Sequence, residues 1–352
     1  MKIMRKLVTT LMAVLGLNTS CGQQLYENMD VEAFANCIAD RNVQLLDVRT
    51  AEEYDEGHID GALLADFKSN SFMATAEAQL VKEQLVAVYC RSGRRSAMAA
   101  EQLTAAGYKC VNLQGGILAW QSKGKPSTTV QVDAFVTPGG KVVKLYALVH
   151  ASIRMEYAGR TIVVDPVTRL GNRSIDYSTM PKASHILVTH EHPDHFDKKA
   201  LDMLSDLKTQ LVMNKRCVEM YGAGKAMVNG EKMQIADDIT VEAVPAYNTT
   251  EGHLQFHPKG RDNGYILTLD GLRIYIAGDT EDIPEMGSIK DIDIAFLPCN
   301  QPYTMTKEQL VRAACAVKPK VLFPYHYGQT DVSSVSAQLQ AERIDVRIRH
   351  YE

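Results

Sequence analysis

Three imidazoles and the carboxylate of Asp194 fall within six consecutive positions of this sequence, 190–195, one residue after an apolar run at 186–188. Side chains two positions apart on extended backbone point to the same side, so His190 and His192 can face one ion together. The proline at position 193 then turns the chain, so that Asp194 and His195 can approach from a second direction. So many ionisable side chains close together are unusual in a hydrophobic core or in an ordinary loop, whereas the H-x-H-x-D-H spacing is typical of a metal site. The sequence therefore predicts a metal-binding cluster at the end of a strand.

A single cysteine offers a second kind of chemistry. Cys90 ends a strand-like run and opens the segment Cys-Arg-Ser-Gly-Arg-Arg-Ser, residues 90–96, directly before a helical stretch. The loop amides, the positive end of the helix and the side chains of Arg91, Arg94 and Arg95 all favour the thiolate, which is the reactive form. Taken alone, Cys90 would be interpreted as a buried structural residue beside a solvated basic loop.

Two series of short elements must position these groups. From residue 29 onward, apolar runs suited to buried strands alternate with helical stretches, which favours a parallel α/β sheet. Asp30 and Thr50 stand where helix N-caps are expected, the latter in a capping box with Glu53. After a polar stretch with glycine and proline at 122–129, a second series of strand-like runs begins. We therefore predict a signal segment 1–21, a first domain 25–125, a linker 126–140 and a second domain 141–352.

Several motifs of the first domain agree with one another in order and spacing. They are Asp47-Val48-Arg49, Glu52-Glu53-Tyr54, the stretch 57–62, the Cys90 segment and the stretch 115–120. Together they resemble a single rhodanese domain. The resemblance implies that Cys90 accepts a sulfane sulfur as a persulfide, so that a sulfane-sulfur donor or acceptor is the expected partner. It also implies that the loop amides, with Arg91, Arg94 and Arg95, hold the anionic donor or product.

Further motifs lie on both sides of the histidine cluster. They are His150-Ala151-Ser152, Val164-Asp165-Pro166, Ala277-Gly278-Asp279-Thr280 and Pro324-Tyr325-His326-Tyr327-Gly328. From residue 141 to the end the chain thus resembles the metallo-β-lactamase superfamily, and within it the hydrolase branch that includes the ascorbate-phosphate lactonase type. The expected fold class is α/β, a rhodanese-like parallel α/β/α domain followed by a metallo-β-lactamase αββα sandwich.

The resemblance also implies a set of ligands. By position, His190 and His192 would hold a first metal ion, and a second ion would be held by Asp194, His195 and His326. Asp279 would bridge the two ions, and Asp165 would orient a ligand. One or two divalent ions are expected, with zinc as the first expectation and manganese or iron as alternatives. A metal-held hydroxide would then hydrolyse an ester, lactone or phosphoester of a small molecule, with Asp194 accepting or passing on a proton.

One position departs from the family pattern. Where many relatives have a histidine for the first metal, this chain has Ala246-Tyr247-Asn248. Asn248 offers a weak oxygen ligand, while His257, or less well His253, could serve instead. These alternatives leave the number of bound ions open.

The first residues resemble a bacterial lipoprotein signal. A basic head is followed by an apolar stretch, 7–17, that is too short to span a bilayer, and the signal ends at Cys21. The resemblance implies export to the bacterial cell envelope and a membrane anchor through lipid on Cys21. An ordinary secretory peptide and an uncleaved anchor are the alternatives.

Charge and cysteine content argue against two further classes of protein. A net charge of -4 gives no sign of a nucleic-acid partner. The 7 cysteines never form a C-x-x-C pair, which argues against a zinc ribbon or a disulfide framework. The oligomeric state cannot be read from the sequence.

Two other functions compete with a bifunctional sulfurtransferase and hydrolase. One is a persulfide dioxygenase, an iron enzyme coupled to rhodanese in sulfide metabolism, which needs a histidine at the position of Asn248. That missing ligand, the presence of His326 and the rhodanese-first order count against it. The other is a rhodanese module that acts only as a sulfur carrier or docking domain.

Overall fold

The computed structural model of this 352-residue chain describes residues 26–171 and 173–351. The predicted signal segment, with Cys21, lies outside the described residues. The described chain folds into two α/β domains. In this part of the chain, no helix combines the length and the apolar character that crossing a bilayer requires.

The first domain is a parallel sheet with helices packed against it. Its strands are β1 (Glu27–Met29), β2 (Gln44–Asp47), β3 (Leu63–Leu64), β4 (Leu85–Tyr89) and β5 (Lys109–Leu113). They pair in parallel in the order β1-β5-β4-β2-β3, which confirms the predicted parallel α/β fold. Its helices are α1 (Val31–Ile38), α2 (Ala51–Asp55), α3 (Phe72–Gln79), α4 (Arg94–Ala105) and α5 (Gly116–Ser122).

Both predicted N-caps of this domain are confirmed. The Asp30 side chain accepts a hydrogen bond from the backbone N–H of Ala33 at the start of α1. Thr50 and Glu53 form the reciprocal capping box that begins α2. These local contacts satisfy backbone donors that a helix leaves unpaired at its first turn.

The second domain begins with a seven-stranded sheet. Its strands are β6 (Val132–Val136), β7 (Val142–Val149), β8 (Ser152–Tyr157), β9 (Arg160–Val164), β12 (His185–Val188), β13 (Gln210–Met213) and β14 (Lys225–Ala226). The strand order is β14-β13-β12-β9-β8-β7-β6. The strands β10 (Arg169–Leu170) and β11 (Arg173–Ser174) form a separate hairpin, and the helices here are α6 (Lys198–Leu204) and α7 (Lys215–Tyr221).

A second seven-stranded sheet completes this domain. It consists, in pairing order, of β15 (Lys232–Ala236), β16 (Ile239–Ala246), β17 (Asp262–Leu269), β18 (Leu272–Ile276), β19 (Ile294–Pro298), β20 (Val321–Tyr325) and β21 (Asp345–Val346). Val143 and Ile153 of the first sheet share one buried cluster with Leu267 and Phe323 of the second. The helices α8 (Lys307–Val317) and α9 (Val335–Leu339) pack in a separate apolar cluster beside the second sheet. This arrangement is the predicted αββα sandwich.

The region between the domains differs from the predicted linker 126–140 in one respect. Strand β6 lies inside that range and pairs with β7 as the edge of the first sheet. Only the stretch before β6 connects the domains. This stretch is hydrogen-bonded to the first domain, because His58 and Thr128 exchange two backbone hydrogen bonds of 2.8 Å. Val132 and Ala134, two positions apart on β6, are buried in the same cluster as Phe72 of α3.

Candidate functional sites

Several strands of both sheets end at one edge of the sandwich, and the chemically active side chains follow those ends. The segment 189–195 follows β12, and Asp279 follows β18. His326 comes directly after β20, and His150 occupies the turn between β7 and β8. Residues far apart in the sequence therefore meet at this edge.

Two groups of potential ligands lie there, and within each group the ligand atoms are all within 4.8 Å of one another. The first group consists of His190, His192, His257 and Asp279. The second consists of His150, Asp194, His195 and His326. We call them the first and second clusters.

Asp279 lies between the two clusters. Its Oδ2 is 3.3 Å from His257 Nε2 and also 3.3 Å from His326 Nε2. Its Oδ1 is 3.2 Å from His195 Nε2. A carboxylate with this placement can bridge two cations, which is the role that the sequence motif implied.

The chemistry of the buried atoms fits a metal centre. Among the described residues, six buried atoms of the clusters have no hydrogen-bond partner, namely Nε2 of His190, His195, His257 and His326, Nδ1 of His326 and Oδ1 of Asp279. Buried polar atoms are normally paired, because an unpaired one costs free energy. Imidazole nitrogens and carboxylate oxygens are ligands for divalent ions, so bound cations would satisfy these atoms.

The groups of the two clusters shift one another's pKa values. Burial alone would lower the pKa of His195 and of His326, but the Asp279 carboxylate outweighs it and raises the pKa of His326 to about 9 and that of His195 well above 6.5. A cation that binds these two imidazoles would have to displace their protons. Burial lowers the pKa of His190 well below 6.5, which favours the neutral imidazole that a metal ligand must be. Burial alone would raise the pKa of Asp279, but the neighbouring His195 and His326 outweigh it and hold the pKa of this carboxyl well below 3.8. Asp279 is therefore ionised at neutral pH.

Two buried carboxylates orient one histidine ring of each cluster. Asp165 Oδ2 lies 2.8 Å from His195 Nδ1, and Asp262 Oδ2 lies 2.9 Å from His257 Nδ1. Each contact directs the opposite ring nitrogen, Nε2, toward the cluster. The sequence motif predicted the role of Asp165, whereas Asp262 was missed.

Three residues in or beside the second cluster have strained backbone conformations. His150, Asp165 and His326 have φ angles of 56°, 45° and 47°, in the left-handed region that residues other than glycine rarely adopt. Each such residue costs about 1–3 kcal/mol and persists only where surrounding contacts hold it. Strain of this kind is common at functional sites.

The sequence left three candidates for the ligand position at which this chain differs from its relatives. Of these, His257 is the residue that lies in the first cluster. Asn248 lies beside it, since its backbone N–H donates to the His257 carbonyl at 2.8 Å. The Asn248 amide nitrogen donates to the Tyr303 carbonyl, and its Oδ1 is buried without a partner among the described residues. His253 lies 3.4 Å from Glu281. His150, which sequence reasoning used only as part of a motif, belongs to the second cluster.

The cysteine loop forms a separate site in the first domain. Cys90 Sγ accepts hydrogen bonds from the Gly93 backbone N–H at 3.2 Å and from the Ser96 hydroxyl at 3.3 Å. Gly93, the N-cap residue before α4, has a φ of 90°, which the tight loop requires and glycine adopts readily. A Cβ on Gly116 would overlap the Cys90 carbonyl, so position 116 in the neighbouring turn also requires glycine. The loop amide was expected, and the Ser96 hydroxyl was not.

A cavity of about 860 Å³ lies beside this loop and includes Arg91 and Lys68 in its lining. Arg94 is exposed. Arg95 lines the same cavity and also forms a two-pronged ion pair with Glu53 at 2.6 and 2.7 Å, which the sequence did not predict. The hydrogen bond from Arg95 lowers the pKa of Glu53 to about 2, so this pair is ionised at neutral pH.

Comparisons with known proteins match both domains. A model of the rhodanese-like domain matches residues 30–123, and a model of the beta-lactamase superfamily domain matches residues 144–326, just over half of the 352 residues. A UPF0173 metal-dependent hydrolase from Ligilactobacillus salivarius is 33% identical over 51% of this chain and 82% of its own length. A UPF0173 metal-dependent hydrolase from Methanopyrus kandleri is 26% identical over 56% of this chain and 92% of its own length.

Solved structures give the same result for the second domain. A crystal structure from Parabacteroides distasonis, described as a metal-dependent hydrolase, is 49% identical with a TM-score of 0.62, and the match covers 63% of this chain and 100% of that chain. Igni18, a metallo hydrolase from Ignicoccus hospitalis, is 25% identical with a TM-score of 0.51, over 58% of this chain and 94% of its own.

Proposed function

Through residues 144–326 the chain belongs to the beta-lactamase superfamily, and from this premise we propose that its second domain hydrolyses an ester, lactone or phosphoester of a small molecule at two divalent ions. The observation that carries the proposal is the pair of four-residue clusters that share Asp279 between them. Zinc is the ion we propose first, with manganese or iron as alternatives, since imidazole and carboxylate ligands suit all three.

When bound, such ions supply Lewis acidity and water that is nucleophilic near neutral pH. The residues supply position and proton handling. Asp279 has a side chain only 3% exposed, whereas that of Asp194 is 32% exposed. Asp194 is thus the carboxylate of the site that solvent and substrate can reach, and we assign it to accept and pass on the proton of the attacking water. Its Oδ2 lies 3.2 Å from His150 Nε2, which fixes its orientation.

Elemental analysis and turnover test this proposal together. Purified protein should contain close to two equivalents of metal and hydrolyse members of a phosphodiester and lactone panel. Removal of the metal with a chelator should abolish turnover, and adding back the divalent ion that elemental analysis identifies should restore it. His190→Ala should lower the metal content toward one equivalent, and Asp279→Ala to one equivalent or less. Each variant should lower turnover by at least about 100-fold, in line with losses seen even for outer-shell partners. Full activity in either variant would refute the site assignment.

The same analysis separates the hydrolase from a persulfide dioxygenase. A dioxygenase predicts one iron per chain and oxygen consumption with glutathione persulfide. Four ligands in each cluster support the dinuclear alternative instead. Iron-loaded protein that consumes oxygen with that substrate would favour the dioxygenase.

For the first domain we propose sulfur transfer through Cys90, because two hydrogen-bond donors converge on its Sγ. The thiolate would attack the outer sulfur of a donor such as thiosulfate. The new S–S bond forms as the donor's S–S bond breaks, and sulfite leaves with the electron pair. Cyanide consumption with thiosulfate should be lost in Cys90→Ser and kept in Cys37→Ser, a free and only partly buried cysteine. Loss of the cellular role in Cys90→Ser would also exclude a purely structural docking function.

We further propose that the protein is exported and anchored in the bacterial envelope by lipid on Cys21, on the strength of the sequence pattern alone. Incorporation of labelled palmitate by growing cells should disappear in Cys21→Ser. Incorporation that persists in this variant would contradict the proposal.

A further inference from the structure

Two loops lie on the side of the metal centre that carries His257. One runs from residue 249 to 256, and the other contains Tyr303. Asn248 fastens both of them, since its backbone N–H donates to the His257 carbonyl and its amide nitrogen donates to the Tyr303 carbonyl, each at 2.8 Å. The loops are therefore held next to a residue of the first cluster.

The base of the first loop is also bound to the segment that carries Asp279. The side chain of Glu281 is fully buried and accepts the backbone N–H groups of Thr249 and Thr250, both at 2.8 Å. The two threonine hydroxyls donate to the same carboxylate oxygen at 2.7 and 2.9 Å. Since Glu281 is two residues from Asp279, these bonds set the position of the loop relative to the clusters.

These loops expose apolar side chains. Leu254 is 50% exposed and Tyr303 is 45% exposed. The rings of Phe256 and Tyr303 pack edge to face, with centroids 5.0 Å apart. We call these three residues the apolar rim. Phe256 directly precedes His257 of the first cluster, so the apolar rim adjoins that cluster along the chain.

The size of the rim limits what it can bind. Three side chains at these exposures offer on the order of 200 Å² of surface. A stable protein interface needs about 800 Å² on each partner, so the rim is too small to be one on its own. It matches one short aliphatic chain or one ring of a small molecule.

We propose that the apolar rim binds the apolar part of the substrate, so that the preferred substrates are esters or lactones with an aliphatic chain of about four or more carbons or with an aromatic ring. The proposal rests on the proposed hydrolase function. It adds a substrate class, because neither the clusters nor the fold distinguishes an apolar acyl group from a small polar one.

A chain-length series tests this proposal on the full-length, metal-loaded protein. We expect kcat/KM to rise from p-nitrophenyl acetate through the butyrate to the hexanoate, by about twofold for each methylene that becomes half-buried. In Leu254→Ser and Tyr303→Ser the ratio of hexanoate to acetate should fall several-fold. Leu207→Ser removes an equally large but fully exposed side chain elsewhere and should leave the ratio unchanged.

A binding measurement separates failure of the rim from failure of the hydrolase. Calorimetric titration should show tighter binding of hexanoate than of acetate, and Tyr303→Ser should reduce that preference. If no ester or lactone is turned over but this preference is present and falls in the variant, the rim is supported and the hydrolase is not. Turnover with no dependence on chain length, or with the same dependence in Leu254→Ser, would overturn the rim.

Discussion

Replacing Asp165 by asparagine should weaken metal binding at the second cluster and leave the first cluster intact. Asp165 Oδ2 lies 2.8 Å from His195 Nδ1, and Oδ1 accepts the backbone N–H of Thr189 at 2.8 Å. The first contact makes Nδ1 the protonated nitrogen of the ring and leaves the lone pair of Nε2 for an ion.

Asparagine has the size of aspartate but only one acceptor oxygen. Because the Thr189 N–H holds that oxygen, the amide nitrogen would face His195 Nδ1, and the ring proton would move to Nε2. The lost charge-assisted hydrogen bond contributes about 1.5–3 kcal/mol. Since about 1.4 kcal/mol is a factor of ten, the second ion should bind roughly 10- to 100-fold more weakly.

Competition for zinc between the protein and a chromophoric chelator measures the two binding steps separately. Asp262→Asn is the matched control, because Asp262 orients His257 of the first cluster in the same way. Asp262→Asn should weaken binding of the ion at the first cluster and leave the second cluster unchanged. If Asp165→Asn bound both ions as the wild type does, or if both variants weakened the same step, the division into two clusters would be refuted.

Three further changes have expected outcomes. Ser96→Ala removes a donor to Cys90 Sγ and should slow sulfur transfer about 10-fold or more, measured as thiosulfate–cyanide turnover. Gly116→Ala forces a Cβ into the Cys90 carbonyl at φ 59° and should lower the melting temperature of the first domain, seen by calorimetry. Asp133→Asn leaves the partly buried Arg349 without its carboxylate and should cost about 3 kcal/mol at pH 7 in urea unfolding. Because the pKa of Asp133 is depressed in the folded state, this difference should shrink as pH falls below about 4.

The local part of the metal centre could be predicted because its residues are close in sequence. The spacing of His190, His192, Asp194 and His195 is itself a signature, and short apolar runs predicted the strands on either side. The position of His257 could not be predicted in the same way. It joins the first cluster only because the loop after Asn248 folds back through a backbone hydrogen bond, which has no pattern in the residues between them.

The differences from expectation have a common physical cause. Arg95 was expected to hold a substrate anion, and the structure adds an ion pair with Glu53, which lies 42 positions earlier on α2. Strand β6 was assigned to a linker, and the charge of Asp133, its second residue, is matched by Arg349, 216 positions later. In both cases a buried or half-buried charge finds its partner through tertiary packing, and nothing in the neighbouring sequence reveals which partner that is.

Apolar packing, more than exposed charges, holds the two domains together. Asp55 of α2 lies 3.5 Å from His350, but these side chains are 34% and 63% exposed, and such pairs contribute at most about 1 kcal/mol. Phe72 of α3 and Val132 of β6 are 4% and 5% exposed in one shared cluster, and burial of each such side chain contributes roughly 1.5–3 kcal/mol. Since β6 is also an edge strand of the sandwich, this cluster attaches the cysteine-bearing domain directly to the sheet that carries the histidine motif. The stretch before β6 is therefore hydrogen-bonded to the first domain and does not act as a free linker. Apolar packing sets the position of the Cys90 loop relative to the histidine clusters.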